Sequence, residues 1–168
     1  EELGFIEKLK EYVKSGRPLL GICLGMQLLF SYSEEFGYHA GLDLVNGAVV
    51  HLPKKEVTNG FNYKIPHIGW NRLLKLSEEI DWRDTILNGI CQNAEVYFVH
   101  SFIAVPVDKS VILAYAEYGG VSIVALIKRR NIYGCQFHPE KSRETGIKML
   151  QNFVDIVSAC KRDCINIL

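Results

Sequence analysis

The 168 residues fall within the size of one domain built around one core. Hydrophobic residues make up 48% and charged residues 23%, which excludes the low-apolar, high-charge composition of a disordered chain. Nineteen Lys plus Arg balance nineteen Asp plus Glu, so no net field draws in a nucleic acid or an anionic membrane.

Leu3, Ile6, Leu9 and Val13 recur at helical spacing behind Glu1 and Glu2, with Lys14 in the last turn and Gly16 as a stop, and they predict a first helix. Because the chain opens on Glu inside this pattern, it is expected to begin partway through a longer protein. Residues 18–23 form an apolar run too short for a helix, as expected of a parallel strand covered on both faces. The run turns at Gly21-Ile22-Cys23-Leu24-Gly25 into a second predicted helix from Leu24 to about Tyr32. The apolar stretch 18–30 contains Gln27 and falls short of the roughly 20 residues that span a bilayer, so no membrane helix is predicted.

Residues 37–69, rich in Gly, Pro, His and Asn, read as loops and short strands such as 48–52. Four further strands are predicted at 95–102, 111–118, 121–128 and 132–137, and Gly119-Gly120 signals a two-residue hairpin between the second and third. The basic run 128–130 reads as a solvated strand end. Ile147, Leu150, Phe153 and Val157 share one face of a final helix, with Ser142 as its N-cap. The order implies an α/β fold in a single domain: a mixed sheet with helices on both faces and an antiparallel extension. The five cysteines are odd in number and lack C-x-x-C spacing, and there is no signal-peptide pattern or N-x-[ST] sequon. Reduced thiols in a cytoplasmic protein are expected, and helix-end packing accounts for the pair Cys160 and Cys164.

Chemistry concentrates at two places. Residues 21–25 have the form of a G-x-S-x-G nucleophile elbow with Cys23 in the serine position. A nucleophile there projects from the sheet, the following helix N-terminus is expected to lower the thiol's pKa, and the Leu24 N–H can donate to an oxyanion. The pentapeptide alone fits a buried structural cysteine equally well. The second place is His138-Pro139-Glu140, directly after the last predicted strand. Residues two apart on an extended segment point the same way, so Glu140 can orient His138, and Pro139 stiffens the presentation. An exposed turn would look the same. A zinc site from Cys23, His138 and Glu140 lacks the local ligand spacings, and no metal or cofactor is expected. Together the two places suggest a Cys-His-Glu triad with Cys23 and His138 near hydrogen-bond reach.

The segments Pro18-Leu-Leu-Gly-Ile-Cys-Leu-Gly-Met-Gln27 and Gln136-Phe-His-Pro-Glu-Lys-Ser142 closely resemble the class I glutamine amidotransferases, whose glutaminase domain hydrolyses glutamine through such a triad. Within them Ser33-Glu-Glu35, Gly41-Leu42, Ile65-Pro-His-Ile-Gly-Trp-Asn71, Tyr97-Phe-Val-His-Ser101 and the Gly146-to-Leu150 spacing resemble the glutaminase subunits of imidazole glycerol phosphate synthase, over residues 3–157. The resemblance implies a three-layer fold, Cys23 as nucleophile, His138 as general base and then acid, and Glu140 as the orienting carboxylate. It implies that Gln27, Ser101 and Phe102 contact L-glutamine, and that Trp70, Asn71, Tyr97 and Lys141 face a barrel-fold cyclase subunit in a heterodimer. Other readings of these residues are a locally satisfied hydroxyl for Ser101, core aromatics for Trp70 and Tyr97, a cap for Asn71 and a solvated charge for Lys141.

A paralogous glutaminase supplying ammonia for amidation of a cell-surface sugar would share the triad. A catalytically weak interaction subunit would keep the triad but only bind. The family's first strand and its glycine-rich Pro-Gly oxyanion segment have no counterpart here. In a protein that truly lacked them, half the oxyanion hole and part of the central sheet would be missing, with about a 100- to 1000-fold cost in rate and an uncovered strand edge at 18–23.

Overall fold

The structure is a computed structural model that describes residues 4–54 and 63–165, the side chains of 161–165 excepted. Leu3 in the first helical stripe and the pairing of Cys160 with Cys164 lie outside the described residues. In chain order the elements are α1 (Phe5–Lys14), β1 (Leu19–Ile22), α2 (Leu24–Leu28), β2 (Phe30–Ser33), β3 (His39–Ala40) and β4 (Val45–His51). There follow β5 (His67–Arg72), β6 (Glu95–His100), β7 (Phe102–Pro106), β8 (Ile112–Tyr118), β9 (Val121–Arg129), β10 (Ile132–Cys135) and α3 (Arg143–Ile165).

The strands form three sheets rather than the one mixed sheet expected: β1-β10-β9-β8, β3-β2-β4-β7 and the pair β5-β6. The first sheet places the chemistry. Strand β1 runs parallel to β10 in the register Leu19↔Ile132 to Ile22↔Cys135, and β10, β9 and β8 are successively antiparallel. Gly119 and Gly120, at φ 57° and 73°, make the tight β8–β9 connection that the glycine pair predicts.

One face of this sheet packs Tyr133, Cys135, Leu126 and Ala114 against Met149, Phe153 and Ile156 of α3 and against Trp82, Ile86 and Leu87. The opposite face packs Ile127 and Ile132 against Met26 and Leu29 around α2, and against Phe30, Val45, Val49 and Ala104 of the second sheet. The layering is therefore helix, first sheet, then α2 with the second sheet. Phe30, Phe98 and Phe137 are fully buried, each contributing about 2–3 kcal/mol.

Two local expectations change. The second helix stops at Leu28 instead of about Tyr32, because the amides of Leu42, Leu44, Val45 and Asp43 bond to the carbonyls of Leu28, Leu29 and Phe30 that a longer helix would need. The chain continues as β2, parallel to β4. In α3 the expected face is rotated: Ile147 is 66% exposed, and the packed stripe runs through Gly146, Met149, Asn152 and Phe153. Gly146 sets that rotation, since a Cβ there would lie 1.8 Å from the Pro139 carbonyl oxygen. Only this face of the helix can approach the turn so closely.

Candidate active site

Parallel pairing brings the ends of β1 and β10 side by side, so Cys23 emerges beside residues 135 and 136. The Cys23 N–H donates to the Cys135 carbonyl at 2.7 Å. Cys23 itself has φ 49° and ψ −105°, a conformation that side chains avoid and that marks a strained elbow. Of its two flanking glycines only Gly21 is required by contact. A Cβ on Gly21 would lie 2.6 Å from the backbone of Gly25, whereas a Cβ on Gly25 would meet open space.

The Cys23 thiol donates to the Val99 carbonyl at 3.7 Å and accepts from Gln136 Nε2 at 3.8 Å. It makes no hydrogen bond to His138 among the described residues. Burial pushes the thiol's pKa up, and the nearby carboxylates Glu140 and Glu35 push it further. The Leu24 N–H and Gln136 pull it down, but less. The expected lowering by the helix N-terminus is thus present and outweighed: α2 has five residues, and its single donated N–H competes with desolvation.

His138 continues the line of β10 in an extended conformation, φ −101° and ψ 96°, at the start of a single 3-10 turn formed by Pro139–Lys141. Its N–H donates to the Tyr97 carbonyl at 2.8 Å. Nδ1 lies 2.6 Å from Glu140 Oε1, an arrangement in which Nδ1–H donates to the carboxylate and Nε2 is left as the basic nitrogen. Ser142 braces this turn. Its buried hydroxyl donates to the His138 carbonyl at 2.6 Å and accepts the Tyr97 N–H at 3.0 Å. The residue does precede α3, but its oxygen serves this brace instead of capping the helix.

Gln27 is buried one turn into α2, and its Nε2 donates to the Phe102 carbonyl and to Gln136 Oε1, both at 3.2 Å. Its Oε1 is therefore the atom suited to a substrate contact. Ser101 and Phe102 are half-buried at the junction of β6 and β7, where the Ser101 carbonyl accepts from the Leu52 N–H and the Phe102 ring meets His51 edge-on.

The same Phe102 carbonyl anchors a pair of buried histidines. His100 Nδ1 lies 2.9 Å from it, His67 Nδ1 lies 3.1 Å from His100 Nε2, and Asn71 Nδ2 lies 3.5 Å from His67 Nε2. A carbonyl only accepts, so His100 carries its proton on Nδ1, and His67 must do likewise. Burial lowers both pKa values to about 4, assisted in each case by a neighbouring histidine. Neither histidine was assigned a role from sequence; nothing in its spacing gives away a pair contributed by β5 and β6.

On the outer face of β5 and β6, Trp70 is 40% exposed and meets Tyr97 edge-on at 5.8 Å, with the Arg143 guanidinium 4.5 Å from the Trp70 ring centre. Ile68 is exposed beside half-buried Val99. Lys141 is exposed, and half-buried Asn71 donates to the Glu117 carbonyl and accepts from the Arg72 N–H. Arg143 carries no sequence signal, because its contact depends on the turn that precedes α3. Among the described residues no helix is long and apolar enough to cross a membrane, and no group of three His, Cys, Asp or Glu side chains could hold a metal.

Residues 3–157 match the glutamine amidotransferase class I family. The chain is 54% identical over 154 residues to imidazole glycerol phosphate synthase subunit HisH 1 of Legionella pneumophila strain Paris, covering 92% of this chain and 72% of that protein. It is 46% identical over 153 residues to subunit HisH of Syntrophotalea carbinolica, covering 91% and 71%. A crystal structure of a glutamine amidotransferase superposes with a TM-score of 0.62 at 16% identity, over 94% of this chain and 70% of that one, a likeness of fold.

Proposed function

The chain belongs to the class I glutamine amidotransferases, among the glutaminase subunits of imidazole glycerol phosphate synthase, and on that membership we propose that it hydrolyses L-glutamine at Cys23, His138 and Glu140. The observation that carries the assignment is the parallel β1–β10 pairing. With it go the strained conformation of Cys23 at the end of β1 and the Glu140 carboxylate 2.6 Å from His138 just past the end of β10, which support the reading.

His138 Nε2 takes the thiol proton as glutamine enters, and Sγ bonds to the side-chain amide carbon. The carbonyl electron pair moves onto oxygen, which the Leu24 N–H stabilises. His138 then protonates the nitrogen, the C–N bond breaks, and ammonia leaves a glutamyl thioester. A water deprotonated by His138 attacks the thioester, the C–S bond breaks, and glutamate departs as the sulfur regains its proton. Glu140 holds the imidazole and stabilises its charged form. Gln27 through Oε1, with Ser101 and Phe102, holds the amino-acid end of the substrate.

The 168 residues act as a single glutaminase domain in the cytoplasm, where ammonia must reach its consumer without being protonated in bulk water. Trp70, Tyr97 and Lys141 receive a barrel-fold cyclase subunit, which uses the ammonia in histidine biosynthesis, while Asn71, turned to the other face of β5 toward His67 and Glu117, supports that strand from behind. Exposure of Lys141, and of Trp70 and Ile68 on β5, the latter in register with the thiol's Val99 partner on β6, supports this placement.

A glutamine-analogue electrophile should label Cys23 and spare Cys135, whose thiol is fully buried and pushed far up in pKa. Cys23→Ala should abolish glutamine hydrolysis and leave the partner's use of added ammonia intact. Equal labelling of Cys91 or Cys135, or loss of both activities, would sink the assignment.

A further inference from the structure

We propose that Gln136 is a dedicated hydrogen-bond donor to the reacting sulfur, its amide locked in the donating orientation by a chain that begins at the Phe102 carbonyl. The proposal rests on Cys23 being the nucleophile and adds a group to its machinery.

The two ends of a glutamine amide have the same shape, so orientation must come from partners. The Phe102 carbonyl can only accept, and it already receives His100 Nδ1–H at 2.9 Å. The Gln27 atom 3.2 Å from it is therefore the nitrogen. That nitrogen has a second N–H, which points to Gln136 at 3.2 Å, so the Gln136 atom there must be Oε1. What remains, 3.8 Å from Sγ, is Nε2 with its protons. Turning the amide over would set two NH₂ groups face to face and put a carbonyl oxygen against the sulfur. Gln136 is 0% exposed and its backbone N–H is tied to Ala125 of β9 at 2.9 Å, so water cannot substitute for any of these partners.

The consequence depends on protonation. The resting thiol donates to Val99, a contact that turns repulsive once the proton leaves, because a carbonyl oxygen then faces a negative sulfur. The Gln136 contact changes the other way, becoming a charge-assisted hydrogen bond. Gln136 thus favours the ionised nucleophile and draws it off Val99. On the resting thiol the carboxylates Glu140 and Glu35 oppose ionisation, whereas Gln136 and the Leu24 N–H favour it.

Gln136→Glu keeps an acceptor for Gln27 and removes the donor from the sulfur. Gln136→Met removes the donor without adding charge, and serves if the buried carboxylate prevents folding. The test is the pH profile of Cys23 alkylation by iodoacetamide in the whole subunit, read by mass spectrometry, which needs no glutaminase turnover. Alkylation near neutral pH should fall about 10- to 100-fold in a folded variant, with the profile displaced to higher pH, as loss of one hydrogen bond to a charge implies. Where glutamine turnover is measured, kcat should fall by a like factor with KM within about threefold. An alkylation profile superimposable on the parent in either folded variant would overturn the proposal, whatever happens to turnover. If instead the parent's glutaminase survived Cys23→Ala, the nucleophile assignment would fail, an outcome the alkylation result does not resemble.

Discussion

His138 and Glu140 lie 2.6 Å apart, and the proposed mechanism gives the two side chains unequal shares of the chemistry. In that mechanism the imidazole moves protons in both halves of the reaction, whereas the carboxylate fixes its tautomer and stabilises a transient charge. Glu140→Gln should therefore retain more activity than His138→Ala, by about tenfold or more in kcat, since an amide oxygen can still accept from Nδ1–H. Single-turnover rates with glutamine would check the order, and a reversed order would break the division of roles. At this scale the sequence was informative where function is carried by neighbours along the chain. The elbow and the His-Pro-Glu turn are contiguous, so the strained turn at Cys23 and the His138–Glu140 contact are both legible along the chain. Gln136 stood in the same segment without a role, because its significance lies in contacts with residues 113 and 109 positions away in the chain.

Among the elements, α3 and the β5–β6 pair make the sharpest demands. Gly146 lets α3 lie against the turn that bears His138, and a methyl group would collide with the Pro139 carbonyl. Gly146→Ala should destabilise by about 3 kcal/mol or more and lower activity in the molecules that still fold, since relief of the clash must displace the turn. Urea unfolding beside glutaminase assays would show both effects. In β5 and β6, His67 and His100 are buried uncharged, with pKa values of about 4 against 6.5 for free histidine. A depressed value means that the unfolded chain takes up protons that the folded chain refuses. Stability is therefore complete above about pH 6.5 and falls as pH drops toward 4, by on the order of 2 kcal/mol per histidine at pH 5. A urea midpoint unchanged between pH 7 and pH 5 would contradict the neutral pair. The β8–β9 hairpin and the β10 strand were readable from local pattern and glycine signals. The early end of α2 and the rotation of α3 were not, because distant amides and one close backbone approach decide them.

For the whole molecule, the decisive geometry is the shared wall between the site and its outer face. Strand β6 gives its Val99 carbonyl to the Cys23 thiol, and its Tyr97 packs against Trp70 on the exposed side. A subunit docking there would press on the strand that holds the resting thiol. Trp70→Ala should weaken stimulation of glutaminase by the partner about tenfold or more, as expected of a central aromatic anchor, while shifting unfolding free energy by about 1 kcal/mol or less. Titration of the partner against glutaminase rate, beside thermal unfolding of the subunit alone, would separate the two. The layered α/β class followed from strand and helix order alone. The division into three sheets did not, because hydrogen bonding between strands far apart in sequence settles which edges join.

The Val99 contact also bears on survival of the protein between turnovers. Peroxide attacks the ionised form of a cysteine, so a sulfur parked as a neutral thiol on a backbone carbonyl is a slow target for oxidation to the irreversible sulfinic and sulfonic acids. A molecule waiting for glutamine is chemically quiet, and it becomes vulnerable only when it is also productive. Hydrogen peroxide should accordingly inactivate the idle subunit more slowly than the subunit engaged with its partner, with Cys23 as the residue oxidised in the engaged state.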